Sequence, residues 1–183
     1  MAFLKISKVS TVLVLIMFLC YNLQPSTFVR ADDELIRRVC HNTDAPTACN
    51  QCVKADNRSD NADSVGIATI VVDCLKVQAV YLQNNISALA SKYKDDFAAN
   101  QTITKCQEWF SHAKSDLSAA TQGLKTGDYD ASDKSVFEAL MYQSACKYQF
   151  ENTRKIRITY HISFGFNMYE ELSQIALRII DHL

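Results

Sequence analysis

The sequence predicts an all-α protein: an up-down-up-down four-helix bundle with an N-terminal helical hairpin, held together by disulfides. Three observations predict this class. Apolar or small residues recur at alternating steps of three and four over long stretches, as in helices packed along their length against other helices. The 183 residues include only four glycines and two prolines, too few for the many turns of an all-β fold. Six of the seven cysteines lie after residue 31, an even number typical of a disulfide-bonded extracellular domain.

The N-terminal segment has the pattern of a secretory signal. Lys5 and Lys8 precede the uncharged apolar run 9–21. That run is shorter than the roughly 20 residues that span a bilayer, so an anchoring helix is the less favoured alternative. Val29-Arg30-Ala31 places small or β-branched residues where a signal peptidase reads the chain. We therefore interpret 1–31 as a cleaved signal and predict a secreted protein.

The remaining chain, 32–183, has the length of one domain, divided into an N-terminal hairpin over 32–61 and a bundle over 62–183. Of the 19 basic residues, three lie in the signal, so 16 basic residues remain against 20 acidic ones and the net charge is -4. This mild acidic balance favours neither nucleic acid nor an anionic membrane as the partner.

The hairpin is predicted from two short helical segments, 32–39 and 47–55, on either side of a turn. Cys40 and Cys49 bracket eight residues that contain turn-forming aspartate and proline. The polar stretch 56–61 then leads into the bundle as a loop.

The first two bundle helices are separated by a break at 93–101. The first begins near Ala62, and Thr102 is expected to cap the N-terminus of the second. Gly127 lies just past the end of the second helix, where glycine commonly terminates helices. The predicted inward residues are Val65, Ala68, Val72, Leu75, Ala79, Leu82, Ile86 and Leu89, then Ile103, Cys106, Phe110, Ala113, Leu117, Ala120 and Leu124.

The last two helices flank a basic segment, 151–161, which has no helical pattern. We interpret it as a solvated surface loop, with a contact surface as the alternative. The fourth helix is predicted from about Phe164. The inward residues of the two helices are Tyr129, Ser132, Val136, Ala139, Gln143, Cys146 and Phe150, then Met168, Leu172, Ile175, Ile179 and Leu183.

The cysteine spacing favours one disulfide between the second and third bundle helices. Cys106 lies 20 residues before Thr126 and Cys146 lies 20 after it. At about 1.5 Å per residue both sulfurs are about 30 Å from the turn, on facing seams. Two pairings remain open for the other four cysteines: Cys40–Cys49 with Cys52–Cys74, or Cys40–Cys52 with Cys49–Cys74.

Three N-glycosylation triplets occur, at Asn57, Asn85 and Asn100, and Asn85 falls inside a predicted helix. Nucleophile, zinc-protease, phosphate-binding and dinucleotide-binding motifs do not occur in the sequence. The histidines have no metal-ligand spacing. We therefore predict no catalytic residue, no metal and no cofactor, and interpret the protein as a non-enzymatic interaction module.

The chain resembles the plant invertase and pectin methylesterase inhibitor family. The features that carry this resemblance span nearly all of the chain after the signal. They are the Cys40-x8-Cys49 hairpin with Asn42-Thr43, Val72-Asp73 in the first long helix, the 39 residues between Cys106 and Cys146, and Gly127-Asp128-Tyr129-Asp130-Ala131 at the turn. The resemblance implies a four-helix bundle in which the first cysteine pairs with the second and the third with the fourth. Cys52 and Cys74 are additions to that pattern.

Such inhibitors dock one-to-one onto a cell-wall or vacuolar enzyme, so the resemblance implies a plant cell-wall enzyme as partner and a location in the apoplast. Invertase inhibitors of the family carry Pro-Lys-Phe after the Gly-Asp of the turn, where this chain has Tyr129-Asp130-Ala131. The turn is more similar to the pectin methylesterase inhibitors. Asp128, Tyr129 and Asp130 are the candidate partner contacts. Invertase inhibition is the alternative, and a non-inhibitory storage, allergen-like or ligand-binding protein is an alternative of another class.

Overall fold

The computed structural model describes residues 33–183, which form helices without a strand. The predicted signal lies outside these residues. The all-α class is confirmed. The elements are α1 (Asp33–His41), α2 (Pro46–Lys54), a 3-10 turn (Asn57–Asn61), α3 (Ser64–Ser87), α4 (Phe97–Thr126), α5 (Tyr129–Asn152) and α6 (Tyr160–Ile180).

The four long helices form the bundle, in which α3 packs against α4 and α6, and α5 packs against the same two helices. Short connections make neighbours in the chain antiparallel, as in other up-down-up-down bundles. The α1–α2 hairpin packs outside the bundle, mainly on α3. The predicted division of 32–183 into a hairpin over 32–61 and a bundle over 62–183 stays a prediction.

The core includes most of the residues that the three-four rhythm selects, together with others that it does not. Every predicted inward residue of α4 is buried. In α3 the predicted Val65 is only half-buried, Leu89 lies beyond the helix end, and Ile67, Ile70 and Val71 are buried although they were not predicted to face inward. The apolar composition of α3 would also suit a membrane-crossing helix, and its nine buried residues account for that hydropathy.

The prediction for α6 was partly wrong. Met168 and Leu183 are half-buried, and Leu183 lies beyond the end of the helix. Because α6 packs against both α3 and α5, its buried face is wider than a single seam. The additional buried residues are Ile162, Gly165, Phe166, Tyr169, Ser173, Ala176 and Ile180.

The start of α4 differs from the prediction, because Thr102 is not its N-cap. The N-cap is Asp96, six residues earlier, and its carboxylate accepts a hydrogen bond from the Ala99 N–H at 3.1 Å. Aspartate is at least as good a cap as threonine. Thr102 is instead buried, with its hydroxyl 2.9 Å from the hydroxyl of Thr153.

The basic loop is shorter than predicted. α5 continues to Asn152, and α6 begins at Tyr160, where the Thr159 hydroxyl accepts from the Ile162 N–H at 3.4 Å. The loop therefore comprises 153–159, and the predicted start of the last helix at Phe164 is one turn too late.

Buried polar side chains have partners within the bundle. Gln143 donates to the Phe166 carbonyl at 3.2 Å, and the Tyr169 hydroxyl donates to the Ala139 carbonyl at 3.4 Å. Burial raises the pKa of Tyr169 well above its usual value, so the phenol stays protonated. These bonds explain why a polar residue at the Gln143 seam position is compatible with the core.

Three disulfides link successive parts of the structure: α1 to α2, α2 to α3, and α4 to α5. Their Cα–Cα distances are 5.5, 6.3 and 5.1 Å. The link between α2 and α3 joins the hairpin covalently to the bundle. The bonds are Cys40–Cys49, Cys52–Cys74 and Cys106–Cys146.

A charged network fixes the 3-10 turn to the bundle. The Arg58 guanidinium donates to Asp56 at 2.9 Å and to Asp73 of α3 at 2.8 Å. Lys76 contacts the other oxygen of Asp73 at 3.1 Å and the Thr121 hydroxyl of α4 at 2.6 Å. Hydrogen bonding to Arg58 lowers the pKa of Asp56 to about 2.

Arg58→Ala is expected to lower the free energy of unfolding by about 1 kcal/mol at pH 6, because the pairs are partly solvated. The pKa of Asp56 is below its usual 3.8 in the folded protein, so this contribution is present above pH 4 and is lost as the pH falls toward 2. Urea unfolding at pH 6, 4 and 2 measures it. Arg37→Ala, which removes an exposed pair within α1, is the control with the smaller effect. A difference between wild type and Arg58→Ala that stays constant with pH would contradict the assignment.

Candidate functional site

The turn between α4 and α5 is built from one glycine and one cap. Gly127 has φ +76°, a left-handed conformation that glycine adopts without strain. The Asp128 N–H donates to the Gly123 carbonyl at 2.9 Å, and the Asp128 carboxylate accepts from the Ala131 N–H at 3.1 Å. Both helix ends are therefore satisfied within the turn.

α4 and α5 approach each other closely next to this turn. The Ser132 hydroxyl lies 3.0 Å from the Ala120 carbonyl and 2.9 Å from the Asp128 carbonyl. A Cβ atom added to Gly123 would meet the Ser132 hydroxyl and would lie 2.8 Å from the Asp128 carbonyl oxygen. The predicted seam residue Ser132 is therefore a contact between the two helices, and Gly123 provides the space for it.

The three candidate contact residues are adjacent but differ in availability. Asp128 is exposed, but its carboxylate caps α5. Tyr129 is half-buried and packs against the core. Asp130 is exposed, and within 33–183 its side chain makes no hydrogen bond or ion pair, so it is the most available of the three to a partner.

The surface around the turn is acidic, and two of its carboxyls titrate above their usual range. Burial, followed by the charges of Asp181 and Asp130, raises the pKa of Asp133. Burial is the main cause that raises the pKa of Asp116, and the charge of Glu138 raises it further. The charge of His112 partly opposes this increase. A fall in pH therefore discharges this surface earlier than isolated carboxylates would.

An exposed apolar stripe on α5 was not anticipated from the sequence. Phe137, Met141 and Tyr148 are 51%, 52% and 64% exposed. Spacings of four and seven residues place them on one face of the helix, opposite the core seam. The sequence does contain a signal for it, because apolar residues also recur at helical spacing outside the α5 seam. Large exposed side chains of this kind mark interaction surfaces when they cluster.

Further aromatic residues lie on α4 and at its contact with α5. The His112 ring stacks on Tyr142 of α5 with centroids 5.4 Å apart, and Lys105 lies over the Trp109 ring at 5.6 Å. Aromatic residues are enriched in the centres of protein interfaces. The helices α4 and α5 form a hairpin of their own, distinct from the α1–α2 hairpin. We call the exposed stripe of α5 and the aromatic residues beside it the outer face of the hairpin, which consists of Trp109, His112, Phe137, Met141, Tyr142 and Tyr148.

The candidate glycosylation sites differ in accessibility. Asn57 is exposed in the 3-10 turn, and Asn100 is exposed in the first turn of α4. Asn85 is half-buried and its amide donates to the Tyr81 carbonyl at 2.8 Å. Their modification stays a prediction. In the part of the chain that the structure describes, no cluster of three histidine, cysteine or carboxylate residues could hold a metal ion.

Residues 34–179 match the sequence profile described as plant invertase/pectin methylesterase inhibitor. The match covers more than half of the chain. The chain belongs to this family. This confirms the resemblance seen in the turn and in the cysteines. By its description, the family consists of inhibitors of plant invertase and pectin methylesterase.

Two similar proteins are named as inhibitors of different enzymes. A pectinesterase inhibitor from Actinidia deliciosa is 28% identical over 153 residues, which cover 84% of this chain and 81% of the relative. A cell wall/vacuolar inhibitor of fructosidase 2 from Arabidopsis thaliana is 23% identical over 174 residues, covering 93% and 97%. The chain thus has similarity to inhibitors of both kinds.

Solved structures support the inhibitor fold. A mutant form of a pectin methylesterase inhibitor from Arabidopsis superposes with a TM-score of 0.63 at 20% identity, covering 79% of this chain and 94% of the other. Another structure, of a pectin methylesterase inhibitor from Arabidopsis thaliana, superposes with a TM-score of 0.57 at 19% identity, covering 83% of this chain and 97% of the other. At these identities the likeness concerns the fold.

Proposed function

We propose that this protein is a secreted inhibitor of a plant pectin methylesterase, acting in the cell wall by one-to-one docking that blocks the active-site cleft. The observation that carries the choice of enzyme is the turn, where Tyr129-Asp130-Ala131 stands in place of the Pro-Lys-Phe of invertase inhibitors. The relative named as a pectinesterase inhibitor, at 28% identity, supports the same choice.

The outer face of the hairpin is the surface proposed to enter the esterase cleft. It lies on two long helices that a buried disulfide and a hydrogen-bonded turn hold in one arrangement. A rigid surface loses little conformational entropy when it docks, so more of the contact energy remains as affinity. Blocking a cleft requires no chemistry from the inhibitor, which agrees with a contact surface made of aromatic and apolar side chains.

Titration of a plant pectin methylesterase with the chain from Asp32 tests the proposal. We expect loss of methyl-ester hydrolysis at a one-to-one ratio at acidic pH. Met141→Glu should weaken inhibition by roughly tenfold or more, because it places a charge in the centre of the buried contact. Val77→Ala is the matched control, since Val77 is an exposed apolar residue on α3, away from the hairpin. Absence of inhibition at micromolar excess would rule the proposal out.

Invertase inhibition is the second candidate, and similarity to the fructosidase inhibitor along 93% of this chain favours it. The same titration with a cell-wall invertase is expected to show no inhibition, because the turn has an acidic Asp130 where the family's invertase inhibitors have lysine. Strong inhibition of invertase together with an unaffected esterase would reverse the order of the two candidates.

A ligand-binding protein without an enzyme target is the candidate of another class. Three grooves at the surface of residues 33–183 have volumes of about 290, 360 and 420 Å³, and the one of 420 Å³ lies between α2, α3 and α6 beside Cys52–Cys74. Half-exposed side chains line it, and it is separate from the outer face of the hairpin. Failure to inhibit either enzyme would make this class the remaining one.

A further inference from the structure

The basic loop 153–159 is anchored to the bundle on both sides of its charges. Ile156 is buried, and its N–H donates to the Thr153 carbonyl at 3.0 Å. The Arg157 N–H donates to the Tyr93 hydroxyl at 3.0 Å. Because Ile156 points into the core, its neighbours Lys155 and Arg157 point outward. The loop therefore presents its cations from a fixed backbone.

These cations are available to a partner. Within residues 33–183, neither Arg154 nor Arg157 makes an ion pair. Lys155 pairs with Asp96 at 2.9 Å but remains 78% exposed. Lys92 adds a further positive charge beside Tyr93, with its nitrogen 5.4 Å from the ring centroid. This end of the bundle has an excess of cations, although residues 32–183 have a net charge of -4. The cations are Lys92, Lys94, Arg154, Lys155 and Arg157, against the anions Asp95, Asp96 and Glu151.

Two exposed aromatic rings lie next to the loop, at the start of α6. Tyr160 is 77% exposed and stacks on Phe164 with centroids 6.0 Å apart and an interplanar angle of 23°. His161 lies between them in sequence and contacts the Tyr81 hydroxyl of α3 at 3.3 Å. His161 thus contacts α3, and the rings of Tyr160 and Phe164 are at the end of the bundle where Tyr93 contacts the loop.

We propose that this basic-aromatic surface, made of Lys92, Arg154, Lys155, Arg157, Tyr160 and Phe164, binds a linear acidic polysaccharide of uronate units. Each uronate ring carries one carboxylate, which a guanidinium can bind through two parallel hydrogen bonds. The same ring has an apolar C–H face, which packs on an exposed aromatic ring. A polymer that repeats both features can engage the loop cations and the rings at the start of α6 together.

The observations favour a polyuronate over other polyanions. A nucleic-acid or anionic-membrane surface needs a broad positive field, and here the basic cluster is small and the opposite end of the bundle is acidic. The surface lies at the end of the bundle remote from Gly127 and does not include the outer face of the hairpin. The inference therefore goes beyond enzyme inhibition and does not require it.

Calorimetric titration with polygalacturonate fragments tests this inference on the chain from Asp32. We expect binding that weakens as salt is added, because exposed charges are screened. The double variant Arg154→Ala/Arg157→Ala should bind at least about tenfold more weakly than wild type. Tyr160→Ala should bind several-fold more weakly. Lys125→Ala/Lys134→Ala removes two exposed cations from the other end of the bundle and should bind like wild type. Circular dichroism confirms that each variant is folded.

Three outcomes would overturn the inference. One is unchanged binding by the Arg154→Ala/Arg157→Ala variant. Another is equal binding of fully methyl-esterified pectin, which lacks the carboxylate charge. The third is equally tight binding of single-stranded DNA or phosphatidylserine vesicles, which would reduce the surface to a general attraction for polyanions. Esterase inhibition by the same variants should remain at the wild-type level, so that a failed polysaccharide titration and a failed inhibitor proposal are distinguishable.

Discussion

Replacement of both Cys106 and Cys146 by alanine is expected to lower the free energy of unfolding by about 4 kcal/mol. The bond closes a separation of 40 residues, the longest of the three. Its loss therefore returns the most conformational entropy to the unfolded chain. Both residues are fully buried, so the missing sulfurs also leave unfilled space between α4 and α5. Urea unfolding monitored by circular dichroism measures the change.

The matched control is the Cys40→Ala/Cys49→Ala variant, which also removes two fully buried cysteines. Its bond closes a separation of only nine residues, so the expected loss is smaller, about 3 kcal/mol. An equal or larger loss of unfolding free energy in the Cys40→Ala/Cys49→Ala variant would show that loop length does not determine how much each disulfide stabilises the fold. Inhibition should suffer more from the loss of Cys106–Cys146, because that bond lies between the two helices of the proposed docking surface.

Gly123→Ala should destabilise the protein by about 2–3 kcal/mol, the upper range for overpacking a close contact. The added methyl group meets the Ser132 side chain and also the backbone oxygen of Asp128, so rotation of one side chain cannot relieve it. The ends of α4 and α5 must separate, which displaces the turn. Thermal unfolding and esterase titration of the same sample measure both consequences.

Two companion variants separate the causes. Gly123→Ala/Ser132→Ala removes the side-chain part of the clash but keeps the backbone part, so it should not regain wild-type stability. Gly127→Ala adds a methyl group in open space at φ +76°, and should cost about 1–2 kcal/mol from backbone strain alone. A loss below about 0.5 kcal/mol for Gly123→Ala, the range of neutral surface changes, would contradict the close approach of the helices.

The seams were predictable because burial along a packed helix repeats with the helical period. Every predicted α4 position from Ile103 to Leu124 is buried, and the polar Ser132 and Gln143 were correctly kept in the α5 seam. Their partners were not predictable, since the carbonyls of Ala120 and Phe166 belong to other helices and periodicity contains no information about them.

The errors occurred where two local signals competed. Asp96 and Thr102 are both residue types that cap helices well, so local sequence does not decide between them. Tertiary contacts decide, because the Thr102 hydroxyl contacts the Thr153 hydroxyl and the Asp96 carboxylate pairs with Lys155. The pairing of Cys52 likewise depends on how α2 packs on α3, which spacing alone left open. The exposed stripe that begins at Phe137 was missed because contacts with another molecule impose no burial within this one.

The contact between Thr102 and Thr153 implies that N-glycosylation of Asn100 must occur before the protein has folded. Thr102 is the hydroxyl residue of that sequon, and it is enclosed once α4 packs beside the start of the basic loop. A transferase must reach this hydroxyl, so any carbohydrate has to be added while the nascent chain is still emerging, before the segment 51 residues downstream arrives. Rapid folding would leave Asn100 unglycosylated, and slow folding would allow its glycosylation.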